Sequence, residues 1–414
     1  VAITTLSALQ TYAAYIKTKF REIALKKLVM DQFGDDEPIP SNFSKTIRFP
    51  RYAKLAKVTT NLVNLSGNES IYGGWITGVA ADNPVPSSLV QYYIDATLET
   101  FGDYVVLTED DLLMAVDKVI ENATKLLSAQ YSETIDWRMM KNVVPFVQHF
   151  RVDADGTYEK LGLDASADGA PGGTTIVDSA LTEADGFWNG GYVTIKSGPN
   201  ADITRQVTNF VAATDTLTVN AFPYQVLAGT IYDICVGTGI VAGDKLTSAG
   251  VKRVVKYLQD ASASPLSGTK DDGYFACIID PFTQADFFDD STWLGSLQYV
   301  DPGNIKKGYA GRLFGTQFYW TNQPYRESIA GVQSDAGAVH NNLFLGQHCY
   351  GYSRISGDEG KGPAALRFYI NRPGSQTLSE PFRQIIAQLV WKARFITQVK
   401  NACWGASLMT GASA

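Results

Sequence analysis

The chain has 414 residues, 45% of them hydrophobic and 19% charged, with a net charge of −7. That composition excludes a disordered chain and allows two or three domains with sizeable cores. No apolar run approaches the ~20 residues of a membrane span, and the first 30 residues carry lysines where a signal peptide would not, so a soluble, intracellular chain is expected.

The negative charge is concentrated. Arg151 to Asp244 holds 12 acidic and 4 basic residues, against 30 and 31 in the remainder. This asymmetry predicts a separate, solvent-facing unit in that span. Four scattered cysteines (Cys235, Cys277, Cys349, Cys403) with no CxxC pair read as buried free thiols rather than a disulfide or metal site.

Along the chain, Leu6, Leu9, Ala13, Ile16, Phe20 and Ile23 recur at helical spacing, with basic residues between them. An arm lying on a neighbouring subunit and an ordinary first helix both fit this pattern. Asp31–Pro40 is then a break. Thr46–Tyr52 and Leu89–Leu98 read as strands, the second alternating with a period of two. The long Gly/Asn/Ser/Pro-rich stretch between them carries Ile71, Tyr72 and Trp75. Loops of that length are uncommon unless functional, and exposed aromatics there point to contact with another chain.

A long helix is predicted from Thr108, with Glu109, Asp110 and Asp111 in its first turn and no Pro or Gly before Pro145. Its 30–36 residues would span roughly 50 Å. After a Gly/Ala/Asp-rich linker, short strands at Tyr192–Ser197, Ile203–Phe210, Thr216–Asn220 and Thr230–Val236 read as a small sandwich or barrel. Thr247 caps a predicted helix bearing Val251, Val254, Val255 and Leu258. The strand Tyr274–Ile279, a helix with Phe287 and Phe288, and strands Gly315–Trp320 and Leu343–Gly346 follow. Finally, Gln384 to about Cys403 alternates throughout, a strand on the order of 60 Å. A helix and a strand of such length suit an elongated slab that tiles.

Catalytic chemistry has little to build on. His149, His340 and His348 are dispersed, and no second pair accompanies His348–Cys349 at ligand spacing. Gly237–Ala242 matches GxGxxA but closes the acidic β-rich block, which fits a hinge better than a dinucleotide site. Gly357–Gly362 lacks phosphate-loop spacing. The acidic clusters Glu109–Asp111, Asp35–Glu37 and Asp289–Asp290 could be paired carboxylates, but they sit at a helix start or in turns. No catalytic, cofactor or metal residue is assigned. Lys392, Arg394 and Lys400 on the long strand are candidates to face DNA through phosphate charge; a solvated strand face is the alternative.

Together, VAITTLSALQTYAAYI, DQFGDDEPIP, KTIRFPRYAKL, FGDYVVLTEDDLL, FLGQHCYGY and the VWKARF strand resemble the N4-like major capsid proteins of tailed phages, over nearly the whole chain except about 155–240. The resemblance implies an α+β fold of HK97 type. Residues 1–44 would be an N-terminal arm and 45–107 an extended loop. Residues 108–154 and 376–414 would be a peripheral domain with spine helix and long strand, 155–243 an inserted small all-β domain, and 244–375 an axial domain. It implies a virion protein assembled in the host cytoplasm into hexamers and pentamers around double-stranded DNA, with scaffolding, portal and decoration proteins as partners. Ile16, Phe20, Ile71, Tyr72 and Trp75 are then expected at inter-subunit contacts. Some such shells cross-link through a loop lysine; Asn61 to Ser88 contains none, so a non-covalent shell is expected. Removing residues 158–238 is expected to leave a chain that still forms shells, with lower stability. An encapsulin-like compartment and a carbohydrate-active enzyme with a β-rich module are the competing readings.

Overall fold

Short apolar runs, turn residues and two long periodic segments make a sheet-rich α+β chain. The computed structural model describes residues 28–37, 45–52, 91–108, 119–153, 157–164, 173–266, 273–300, 311–328, 330–334, 337–353, 367–371 and 386–413. It begins with β1 (Asp35–Asp36), followed by a hairpin base of β2 (Thr46–Tyr52) and β3 (Gln91–Thr97), paired antiparallel from Thr46↔Thr97 to Tyr52↔Gln91. β4 (Glu99–Thr108) leads towards α1 (Val119–Val143). That helix stops where Pro145 can supply no N–H, and a 3-10 turn (Val144–Phe146) carries the chain into β5 (Gln148–Arg151). The β-rich unit comprises β6 (Glu159–Leu163), β7 (Thr175–Val177), β8 (Tyr192–Ile195), β9 (Ile203–Val211), β10 (Thr216–Val219) and β11 (Ile231–Cys235). Then come α2 (Ser248–Asp260), β12 (Phe275–Ile279), α3 (Pro281–Phe288), α4 (Ser291–Val300), β13 (Arg312–Leu313), β14 (Thr316–Trp320), β15 (Arg326–Glu327) and β16 (Val339–Leu345). β17 (Tyr350–Ser353), β18 (Arg367–Asn371), β19 (Ile386–Val399) and β20 (Gly405–Thr410) complete the chain.

β19 is the axis of the first layer. It pairs antiparallel with β4 from Ile386↔Thr108 to Phe395↔Glu99, with β18 from Gln388↔Asn371 to Lys392↔Arg367, and with β17 at its far end. β1 adds in parallel to β17. Along β19, Leu389, Trp391, Ala393, Phe395 and Val399 are buried and join one core with Leu127, Tyr131, Ile135 and Met139 of α1. Tyr131 meets Trp391 edge to face at 5.4 Å, and the Trp391 indole donates to Gln130. Helix and strand therefore lie along each other as expected, at about 37 Å and 46 Å for their 25 and 14 residues. The strand is shorter than its alternation implied. It ends at Val399, because Asn401 caps a 3-10 turn over Ala402–Trp404. Thr108 is the last residue of β4, and the first turn it is expected to cap, with residues 109–118, lies outside the described residues.

The second layer is a seven-stranded sheet in the order β13-β14-β12-β16-β20-β5, with β15 on β16. Its other face buries Val251, Val254 and Leu258 of α2 and Phe287 of α3. Thr247 and Asp280 cap those two helices, as the sequence predicts for Thr247. Sheet membership crosses the expected boundaries. β5 and β20 pair in parallel inside this sheet, whereas β17 and β18, from the span expected as an axial domain, belong to the layer of β19.

The β-rich unit has its own core around Trp188, Val193, Phe210, Leu217 and Tyr232. Its order is β6-β11-β8-β9-β10-β7. β9 pairs with β8 through Ile203–Gln206 and with β10 through Val207–Val211, so the sheet folds over along that strand. The two end strands are then joined by side chains. Asp164 accepts from the Val177 amide and Asp178 from the Leu163 amide, both at 3.1 Å. Two aspartates thus do the work of a missing ladder, and the unit is a small closed barrel. β6 and β7, absent from the sequence reading, are the strands that this seam supports.

Candidate assembly surfaces

Three places carry concentrated polar chemistry, and each joins segments far apart in sequence. The first holds residues 28–37 on the body. Leu28, Met30 and Phe33 are buried beside α1. Asp136 of α1 accepts from the amides of Val29 (3.0 Å) and Met30 (3.2 Å), and Tyr350 donates to the Met30 carbonyl. Burial raises the Asp136 carboxyl to about 6, against the pull of those two donors. Further on, Lys400 bridges Asp35 (2.9 Å) and Glu37, while His348 meets Asp35 at 2.9 Å. Burial pushes the Asp35 carboxyl up, but the Lys400 and His348 contacts outweigh it and hold it below the usual range. Lys400, expected to face DNA, is therefore committed to a clamp on the N-terminal segment.

The second is the open face of the long-strand layer, opposite α1. Lys392 and Arg394 lie there, with Tyr104 and Tyr369 flanking Val390 in register and Val106 beside them. Tyr104 is 60% exposed, so this face presents aromatic and basic groups together. Ile16, Phe20, Ile71, Tyr72 and Trp75 lie outside the described residues. The hairpin that would carry the last three is described at its base, where Arg48 pairs with Asp95 at 2.8 Å.

The third is the seat of the β-rich unit. Arg151, almost wholly buried, donates to the carbonyls of Val236 (2.8 Å) and Thr238 (2.7 Å), pairs with Asp153, and lies 4.4 Å over the Tyr158 ring. Arg253 of α2 ties the Arg151 carbonyl to Glu159. Both connections to the unit are thus fastened at one point. Gly237–Ala242 is part of that fastening, with Gly239 at φ +83° and no helix until Ser248, so it is no dinucleotide turn. Nearby, His149 stacks on Tyr192 at 3.7 Å, and Tyr192 donates to Glu327 at 2.6 Å. Asn341 also donates to Glu327. Burial raises the Glu327 carboxyl to about 7 and lowers His149 to about 3. On the far side, Lys196 contacts Asp233, Gln148 and Tyr257 at 2.9–3.0 Å. Sequence reasoning missed this seat. The polar run Gln148–Arg151 in an otherwise apolar stretch was the signal.

The acidic pairs have structural duties. Asp290 accepts from the amides of Ser248, Thr292 and Trp293, and Asp35–Glu37 belong to the clamp. All four cysteines are free and buried. Among the described residues no group of three or more His, Cys, Asp or Glu side chains could hold a metal, and no helix is long and apolar enough to cross a membrane.

No protein-family model and no curated protein matches the sequence. Solved structures do. A chain of the cyanophage Pam1 capsid asymmetric unit is 12% identical with a TM-score of 0.50, over 90% of this chain and 87% of that one. The capsid of cyanophage P-SCSP1u gives 9% and 0.51, over 93% and 89%. The capsid of Ralstonia phage GP4 gives 10% and 0.50, over 94% and 92%. At such identities the likeness is one of architecture, and it covers 90–94% of this chain: the chain has the fold of phage capsid proteins.

Proposed function

We propose that this chain is the major shell subunit of a tailed-phage head, acting through interfaces and performing no catalysis. The observation that carries the reading is the whole-length likeness to three capsid chains. The paired long helix and strand support it, since an elongated slab leaves broad faces for neighbours. In this reading, hexamers and pentamers interlock without covalent bonds through residues 1–44 and the loop beyond β2 and β3, around double-stranded DNA. The layer of β19 is the peripheral domain and the seven-stranded sheet the core of the axial domain. Lys392 and Arg394 remain candidates for phosphate contact, and scaffolding, portal and decoration proteins the expected partners. Electron microscopy of the purified protein tests it. Shells or capsomers are expected; a 45 kDa monomer at every concentration refutes it. A ladder of covalent multimers on denaturing gels would refute the non-covalent interlock alone.

A further inference from the structure

Among the described residues, Arg205 is a cation of the β-rich unit that meets no carboxylate. Arg205 of β9 donates through Nε to the Ala221 carbonyl and through Nη1 to that of Thr204, both at 2.9 Å. Its guanidinium lies 5.3 Å from the Phe146 ring and 5.7 Å from that of Phe222. Among the described residues no carboxylate reaches it, and Nη2 makes no hydrogen bond. A half-buried guanidinium with a free Nη2 and no counter-charge has a fork that matches a carboxylate.

Arg205 lines a cleft of about 690 Å³ between the β3 hairpin, the 220–224 turn and the body. The Tyr93 amide donates to the Tyr224 hydroxyl across its rim at 3.0 Å. Phe146 and Asn220 are shared with a second cleft of about 790 Å³ that reaches Lys141 and Val332, so the two form one groove. The groove holds three cations (Arg48, Lys141, Arg205) and one carboxylate, Asp95, which Arg48 already occupies. Val332 adds an exposed apolar contact. A basic groove in a chain of net charge −7 is out of keeping with its surroundings.

We propose that this groove receives a carboxylate-bearing segment of a second copy of this chain, anchored by Arg205. Copies that tile must bring their surplus carboxylates together, and repulsion is avoided where those carboxylates meet cations. Nucleic-acid phosphate is the competing occupant, and DNA-filled shells distinguish it. The inference rests on the shell reading above.

Arginine footprinting with phenylglyoxal, read by mass spectrometry, tests it on dissociated subunits, empty shells and DNA-filled shells. Arg205 should react in subunits and slow at least tenfold in empty shells. The Arg205→Met variant should keep the subunit's circular dichroism and lose most of its shell yield, with Arg205→Lys between. Equal labelling in subunits and shells overturns the proposal. So does protection confined to DNA-filled shells, which would assign the groove to phosphate. Failure to form shells, seen by microscopy of the same samples, overturns the shell reading and this one together.

Discussion

The seat of the β-rich unit should be sensitive to pH in the neutral range, through Glu327. Burial raises its carboxyl from 4.5 to about 7. A group whose folded value lies above its unfolded one contributes stability that is complete below pH 4.5 and lost as pH rises through 7. Each pH unit in that window is worth about 1.4 kcal/mol, so the loss is on the order of 3 kcal/mol. Of the groups facing Glu327, Tyr192 and Asn341 donate to it without carrying charge. His149 works against it below pH 6.5: its folded value is lowered to about 3, so the unfolded imidazole gains a proton that the folded one does not, and this share of stability rises with pH. The adjacent Arg326 turns to Asp280 instead. The perturbation is Glu327→Gln, which keeps an oxygen for Tyr192 and Asn341 and cannot ionise. Urea unfolding of dissociated subunits at pH 5, 6, 7 and 8, together with hydrogen exchange over residues 190–195, should show the wild type losing stability relative to the variant as pH rises from 5 to 7. Asp136 titrates nearer 6 in both proteins, so the difference between them isolates Glu327. Parallel profiles would refute the reasoning.

Trp391→Ala should cost about 3–5 kcal/mol in denaturant unfolding, because it removes a fully packed indole from the contact between α1 and β19. Lys400→Met should take the ammonium from Glu37 and Asp35, leaving Asp35 its His348 contact, and free residues 28–37 to exchange, at a local cost of about 1–2 kcal/mol while the melting of the body holds. All four thiols should resist a disulfide reagent in the native subunit and react once unfolded. Burial raises every one of them, Cys403 to about 12.

The sequence showed what is periodic over a long stretch. β19 alternates because one face packs on α1 and the other is open, and the capping Thr247 stands directly before an amphipathic run. β4 escaped because Tyr104 and Val106 put apolar groups on its open face opposite Phe101 and Leu107, which erases the alternation. β20 (GASLMT) escaped because it is buried on both faces and small in side chain, with no period to read. The polar sites escaped for another reason. Lys400 meets Asp35, and Tyr192 meets Glu327, across 365 and 135 positions. Only the folded topology makes those pairs. The acidic block was legible as a unit, but its acidity was over-read as solvent-facing. Asp164 and Asp178 are buried in the barrel seam, Glu183 serves Lys160 and Trp188, and Asp233 serves Lys196.

Removal of the unit is therefore a harsher change than the sequence implied. An appendage on a flexible linker could be cut away with the body intact. Here residues 158–238 cover Gln148, His149, Arg151 and Glu327, each nearly inaccessible to solvent. Cys235 also packs with Val339 and Met409 at the join. Uncovering Val339 and Met409 on the side that Cys235 covers forfeits on the order of 1–2 kcal/mol of apolar burial, against the 5–15 kcal/mol that holds a domain together. Arg151 would also lose the two carbonyls that order its end of β5. The deleted chain should aggregate or melt far below the full-length subunit, and shells should fail to form at 37 °C. Glu327, returned to water, should lose its neutral-range titration. A soluble deletion variant that melts with the parent would show that the seat is a passive contact, and the body a complete tile without it.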